Sequence, residues 1–124
     1  MAQPIEMSFE RFQYAFVNGL APEQQRAAYE AYVVPESRRV PMESLTSVGR
    51  IDFARTRAPL LLIAGSADNI IPAALNQTMY RRYRRGPSIT NFKEFPERTH
   101  FIIGQEGWEE VAGYVASWLG EQVH

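Results

Sequence analysis

Asp68 and His100 are the residues of this chain whose types and placement could do chemistry together. A carboxylate that holds one nitrogen of an imidazole fixes its tautomer and steadies its protonated form. The other nitrogen is then free to take a proton from a hydroxyl. Asp68 closes the stretch Pro59-Leu-Leu-Leu-Ile-Ala-Gly-Ser-Ala-Asp68, and His100 closes Phe92-Lys-Glu-Phe-Pro-Glu-Arg-Thr-His100. Such a pair is two-thirds of a triad for acyl transfer. The third member would be a serine on a Gly-x-Ser-x-Gly turn, and none of the seven serines sits in one. Ser47 has Gly49 after it but Leu45 before it, and Ser66 beside Gly65 reads as a turn residue, a triad built on Ser66 being the lesser alternative. An oxyanion hole is equally unaccounted for. Each residue of the pair also has a structural reading. Asp68 can cap the backbone N–H groups of a following helix, and His100 can be a loop histidine bonded to a carbonyl.

The elements that must position the pair are legible on either side of it. Leu60 to Ala64 is a continuous apolar run bounded by proline and glycine, which reads as a strand buried on both faces. Pro72 can open a helix to about Arg85, where a basic cluster suits a helix C-terminus. Gly86-Pro87 breaks it, and Ile89 to Phe95 alternates like a second strand. A last helix, about Glu106 to Gly120, sets Trp108, Val111, Ala112, Val115, Trp118 and Leu119 on one stripe. Strand, helix, strand, helix at this spacing predicts a β-α-β-α unit with parallel strands and a right-handed crossover. Loops at the carboxyl ends of such strands collect functional groups, and Asp68 and His100 both lie in them.

Before Ala58 the chain reads as helical. Ser8 can cap a helix with Phe9, Phe12 and Phe16 on one face, stopped by Asn18-Gly19. Pro22 suits the first position of a second helix to about Val33, and Pro35 and Pro41 bracket an irregular polar stretch that continues to about Arg57. The expected organisation is therefore a helical segment over residues 1–57 and an α/β segment over 58–124.

Composition narrows the function. A formal net charge of −1 gives no push toward nucleic acid, and Arg81, Arg82, Arg84 and Arg85 read as a solvated helix end. With no cysteine there is no thiolate metal site and no cysteine nucleophile. His100 and His124 with the scattered carboxylates form no metal-ligand spacing. The first residues lack a basic and apolar leader, and the longest apolar run, Ala58 to Ala64, is too short to span a bilayer. A cytoplasmic protein without membrane contact is the expectation.

The segment from Ala58 to about Leu119 resembles the C-terminal part of α/β-hydrolase-fold proteins. The matching features are the apolar strand, Gly65-x-x-Asp68-x-x-x-Pro72, a helix, a second strand, His100-Phe101 and an amphipathic closing helix. The stretch from Phe12 to Gln25, continuing to Tyr32-Val-Val-Pro35, resembles the helical cap that such bacterial hydrolases insert before the acid-bearing strand. The resemblance implies Asp68 as triad acid and His100 as general base in ester hydrolysis, a small apolar substrate, and no cofactor beyond water. The family's nucleophile elbow, oxyanion loop and first strands lie before the cap, and these 124 residues carry none of them. The resemblance thus implies a partial α/β-hydrolase fold, inactive alone, whose missing half lies elsewhere. The alternative is a non-catalytic, dimeric hydrolase remnant that binds a ligand or a protein. The strand edge near Leu60–Ala64 is expected to be covered, most simply by a homodimer partner, or else by the missing N-terminal half.

Overall fold

The computed structural model describes residues 4–37 and 39–122 as a mixed α/β chain built on a two-stranded parallel sheet. Helix α1 spans Phe9–Ala15 and α2 Pro22–Tyr32. A short α3 (Arg39–Ser44) and a 3-10 turn (Ser47–Gly49) follow, then β1 (Leu60–Gly65), α4 (Ala73–Tyr83), β2 (Thr90–Phe95) and α5 (Trp108–Gln122).

Local chemistry explains the helix ends. Ser8 is the N-cap of α1, its hydroxyl accepting from the Arg11 N–H at 3.4 Å. Gly19 adopts φ 82°, a left-handed value that only glycine takes without strain, and it lets the chain turn between α1 and α2. Pro22 takes the first position of α2, where its missing N–H costs nothing. The Gln24 side chain accepts from the Ala21 N–H at 3.3 Å. The two helices close a small core of Phe12, Val17 and Ala28, against which Phe16, Leu20, Tyr29, Val33 and Phe101 pack. The polar stretch before β1 is less irregular than its prolines predict, because it contains α3 and the 3-10 turn, yet residues 41–52 are exposed throughout.

The strands pair in register from Leu60 with Thr90 to Gly65 with Phe95. The Leu60 N–H donates to Ile89 at 3.0 Å and the Ser66 N–H to Phe95 at 3.0 Å, so even-numbered residues of β1 bond β2. Helix α4 packs over both strands, with Tyr80 stacked on Phe92 at 5.8 Å. Helix α5 takes the opposite face: Tyr114 meets Phe95 edge-on at 5.7 Å, and the Trp118 indole N–H donates to Asn91 at 2.9 Å. Because successive strand residues point to opposite faces, these contacts define three layers, α4 over sheet over α5. Arg57 ties the chain before β1 to this body by donating to Thr90 Oγ1 at 2.6 Å and lying over the Tyr83 ring.

Two expectations are corrected here. Leu60 to Ile63 are half-buried rather than buried on both faces, and only Ala64 and Gly65 at the carboxyl end of β1 are fully enclosed. The reason is width: with two strands, β1 has a neighbour on one side only among the described residues. The stripe on α5 is likewise covered in part. Val111 and Trp118 are buried, whereas Trp108 is 46% and Leu119 52% exposed. Among the described residues no helix is long and apolar enough to cross a membrane.

Candidate active site

The two loops that leave the carboxyl ends of β1 and β2 are stitched together before any functional side chain is considered. The Ala67 N–H donates to the Arg98 carbonyl at 2.9 Å, and the Glu97 N–H donates to Ser66 Oγ at 2.8 Å. The loops come so close that a side chain at Gly65 has no room. A Cβ there would stand 2.2 Å from the Arg98 carbonyl oxygen and 2.9 Å from that of Thr99. The second loop is locked from within, since the Thr99 N–H and hydroxyl both donate to Gln105 Oε1, at 2.9 and 3.1 Å, in a buried setting. Glu97 takes φ 57°, the turn that lets the chain double back after Pro96.

This frame brings Asp68 and His100 into contact, with His100 Nδ1 2.9 Å from Asp68 Oδ2. The other carboxylate oxygen, Oδ1, accepts from the N–H groups of Ile70 and Ile71 at 2.8 and 2.9 Å. Asp68 therefore does both things that its sequence position allows. It caps the turn that leads to α4, and it holds the histidine. Its side chain is 8% exposed and that of His100 28%. Burial pushes the Asp68 carboxyl upward. The Ile71 N–H, His100 and the Ile70 N–H together outweigh that effect and leave its pKa below the usual carboxylate value. An ionised carboxylate only accepts, so His100 Nδ1 carries a proton, which leaves Nε2 as the nitrogen with a lone pair whenever the ring holds one proton. Among the described residues Nε2 has no hydrogen-bond partner.

The first helix completes the setting. The Phe16 ring meets the His100 ring edge-on at 4.9 Å, and the Phe101 N–H donates to the Phe16 carbonyl at 3.1 Å. Asn18 Nδ2 donates to the Ala67 carbonyl at 2.8 Å and Asn69 Nδ2 to the Tyr14 carbonyl at 2.9 Å. Phe16 and Phe101 also line a cavity of about 740 Å³ with Phe12, Tyr32, Val33 and Ile103, mostly apolar, with Arg11 and Glu36 at its wall. His100 thus stands behind an aromatic wall of that cavity.

The serines do not complete the site. Ser66 is an exposed turn residue whose Oγ is engaged by the Glu97 N–H. Thr99, next to His100 in sequence, is buried and committed to Gln105. No group of three or more metal-ligating side chains occurs among the described residues, and His124 lies outside them. Phe16, Asn18, Asn69 and Gln105 act on the pair without having been legible as site residues. Only Phe16 had a signal, its place on the aromatic face of α1. Comparison with family models, curated proteins and solved structures finds no match to this chain.

Proposed function

We propose that this chain supplies the acid and base of a serine-type, α/β-hydrolase-like ester-hydrolysing site whose nucleophile comes from another polypeptide segment. One observation carries the reading: His100 Nδ1 bonds Asp68 Oδ2 at 2.9 Å, and Asp68 is itself fixed by two backbone N–H groups, at the carboxyl ends of adjacent parallel strands. In that arrangement Nε2 accepts the proton of an attacking hydroxyl and returns it to the leaving alkoxide. Asp68 stabilises the imidazolium between the two steps. The nearby cavity suits an apolar acyl group.

Complementation tests this. The chain is mixed with a separately produced segment bearing parallel strands and a Gly-x-Ser-x-Gly elbow, and p-nitrophenyl butyrate hydrolysis is followed. The chain alone should equal its His100→Ala variant, and the mixture should gain activity that His100→Ala removes. A mixture indifferent to His100→Ala refutes the role of the pair. Activity of the unmixed chain that is lost in His100→Ala refutes the absent nucleophile.

The size and apolar lining of the cavity favour a second reading, a non-catalytic binder of a small apolar ligand. Under it, a fluorescent fatty acid binds the chain with equal affinity whether position 100 is histidine or alanine.

A further inference from the structure

We infer that the amino end of the sheet carries a binding site for an aromatic phosphate monoester, in a pocket between Phe53 and the end of α4. The site lies at the opposite end of the strands from Asp68 and His100, and it does not depend on the hydrolytic reading.

Charge is spread unevenly over the chain. Residues 52–57 and 81–85 hold six arginines and one carboxylate, Asp52, whereas the rest holds seven cations and thirteen carboxylates. The nearly neutral total therefore hides a basic pole. The fold brings its two stretches together: Phe53 meets Tyr83 edge-on at 4.8 Å, and Arg57 lies over the Tyr83 ring at 4.5 Å. Gly86 permits that closeness, since a Cβ there would stand 2.4 Å from the Phe53 carbonyl oxygen. Among the described residues none of the six arginines pairs with a carboxylate. Asp52 is turned to its own loop, where Oδ1 accepts from the Ala54 N–H at 3.0 Å. A helix end does not call for so many cations. Its carbonyls amount to about half a negative charge, which one arginine more than offsets. Arg57 already donates from Nη2 to the Tyr83 carbonyl at 3.4 Å and to Thr90 Oγ1 at 2.6 Å. Its Nε and Nη1 are buried without an acceptor among the described residues, so this cation has no counter-charge.

The pocket defines the ligand. Its volume is about 260 Å³, and it is lined by Phe53, Ala54, Arg82, Arg85 and Gly86. Sites for whole drug-sized molecules start at roughly 300 Å³, so this one has room for a ring and its substituent. Its walls are largely carbon, the Phe53 ring and the arginine stems, which suits a flat apolar group better than a bare ion. The Arg85 N–H donates to the Arg82 carbonyl at 3.3 Å, closing the turn that brings both arginines to the same pocket. The Arg82 guanidinium stands 5.8 Å from the centre of the Phe53 ring. An anion on a ring seated against Phe53 therefore meets two guanidinium forks. A carboxylate, with two oxygens and one charge, saturates a single fork. A phosphate monoester, with three free oxygens and nearly two charges, answers both.

Amide NMR titration of the intact chain at about 0.15 M ionic strength tests the site. Phenyl phosphate should shift the Ala54, Arg85 and Gly86 signals saturably, with a Kd of about 1 mM or tighter, and leave those of Asp68 and His100 in place. Benzoate has the ring and one charge, and inorganic phosphate has the charge without the ring. Each should bind at least about tenfold more weakly. Arg82→Gln and Arg85→Gln should each weaken phenyl phosphate about tenfold. Arg84→Gln removes the same charge from the same helix end, but from a side chain that lies over Tyr80 at 5.7 Å. It should change the affinity less than about twofold. The inference is overturned by shifts that fail to saturate by about 10 mM, or by benzoate or inorganic phosphate binding as tightly as phenyl phosphate. Equal losses in Arg82→Gln and Arg84→Gln also overturn it. A single-stranded oligothymidylate that binds more tightly than phenyl phosphate, and is weakened equally by all three substitutions, assigns the pole to nucleic acid instead. The ligand comparisons use the unmutated chain, so the inference stands or falls even if a variant fails to fold.

Discussion

Replacing Asp68 with asparagine separates its two duties, because the amide keeps one and inverts the other. Oδ1 can still accept from the N–H groups of Ile70 and Ile71, now at 2.8 and 2.9 Å from the ionised oxygen. The atom facing His100 Nδ1 becomes an NH₂ donor, so the ring must present a lone pair there and move its proton to Nε2. Hydrogen bonds to a charged acceptor contribute about 1.5–3 kcal/mol and neutral ones about 0.5–1.5. Ile70 and Ile71 are partly exposed, so water replaces most of what their N–H groups lose. The two bonds together count as one cap of about 1 kcal/mol, and the low end of about 1.5 kcal/mol applies to the His100 bond. Asp68→Asn should then cost about 1 kcal/mol and Asp68→Ala, which loses all three contacts, about 2–3 kcal/mol. Urea unfolding reads both. With a slope of about 1.5–2 kcal/mol/M, the midpoint falls by roughly 1–2 M for alanine and about half that for asparagine. Nitrogen NMR of the imidazole reads the tautomer, Nδ1–H in the parent chain and Nε2–H in Asp68→Asn. An unchanged tautomer in the asparagine variant, or an alanine variant within about 0.5 kcal/mol of the parent, would refute the reasoning.

The remaining predictions concern the frame and its charge. The Asp68 carboxyl is held below its ordinary pKa, so the folded state binds this proton less readily than the unfolded chain, whose value is about 3.9. The stability it contributes is complete above that range and is lost as pH falls through the lower folded-state value. Urea midpoints of the parent and of Asp68→Asn should therefore converge below about pH 4, and a gap that persists at pH 2 would count against the assignment. Gly65→Ala would set a Cβ 2.2 Å from the Arg98 carbonyl oxygen, a backbone atom of the loop that carries His100. It should destabilise the chain by about 3 kcal/mol or more and abolish the His100–Asp68 contact in NMR spectra, whereas an unchanged midpoint would mean that the loops can part freely.

Much of this architecture was readable because it rests on local rules. Ser8, Asn18-Gly19 and Pro22 bound α1 and α2 through capping and glycine and proline chemistry, and the structure puts the ends within a residue or two of the expected ones. The parallel pairing of β1 and β2 follows from the spacing of an apolar run, a helix and a second strand. What was misjudged depends on tertiary coverage. Leu60–Ile63 read as doubly buried because an apolar run carries no record of how many strands flank it. Trp108 read as core because the stripe on α5 is wider than two strands can cover. At the site, Asp68 and His100 were legible as residues after consecutive strands. Gln105 was not, since a glutamine that locks Thr99 from six residues away looks like any polar loop residue.

The helical segment and the α/β segment meet at the site. Tyr14, Phe16 and Asn18 reach it from the end of α1, through two bonds between the segments to Asn69 and Ala67 and a third from Phe101. Phe16 is the hinge of that arrangement. Its ring rests on His100 on one side, and on the other it joins Phe12 and Phe101 in lining the cavity. The imidazole is therefore held between a carboxylate that sets its proton and an aromatic face that sets its orientation, both supplied by elements that pack for other reasons.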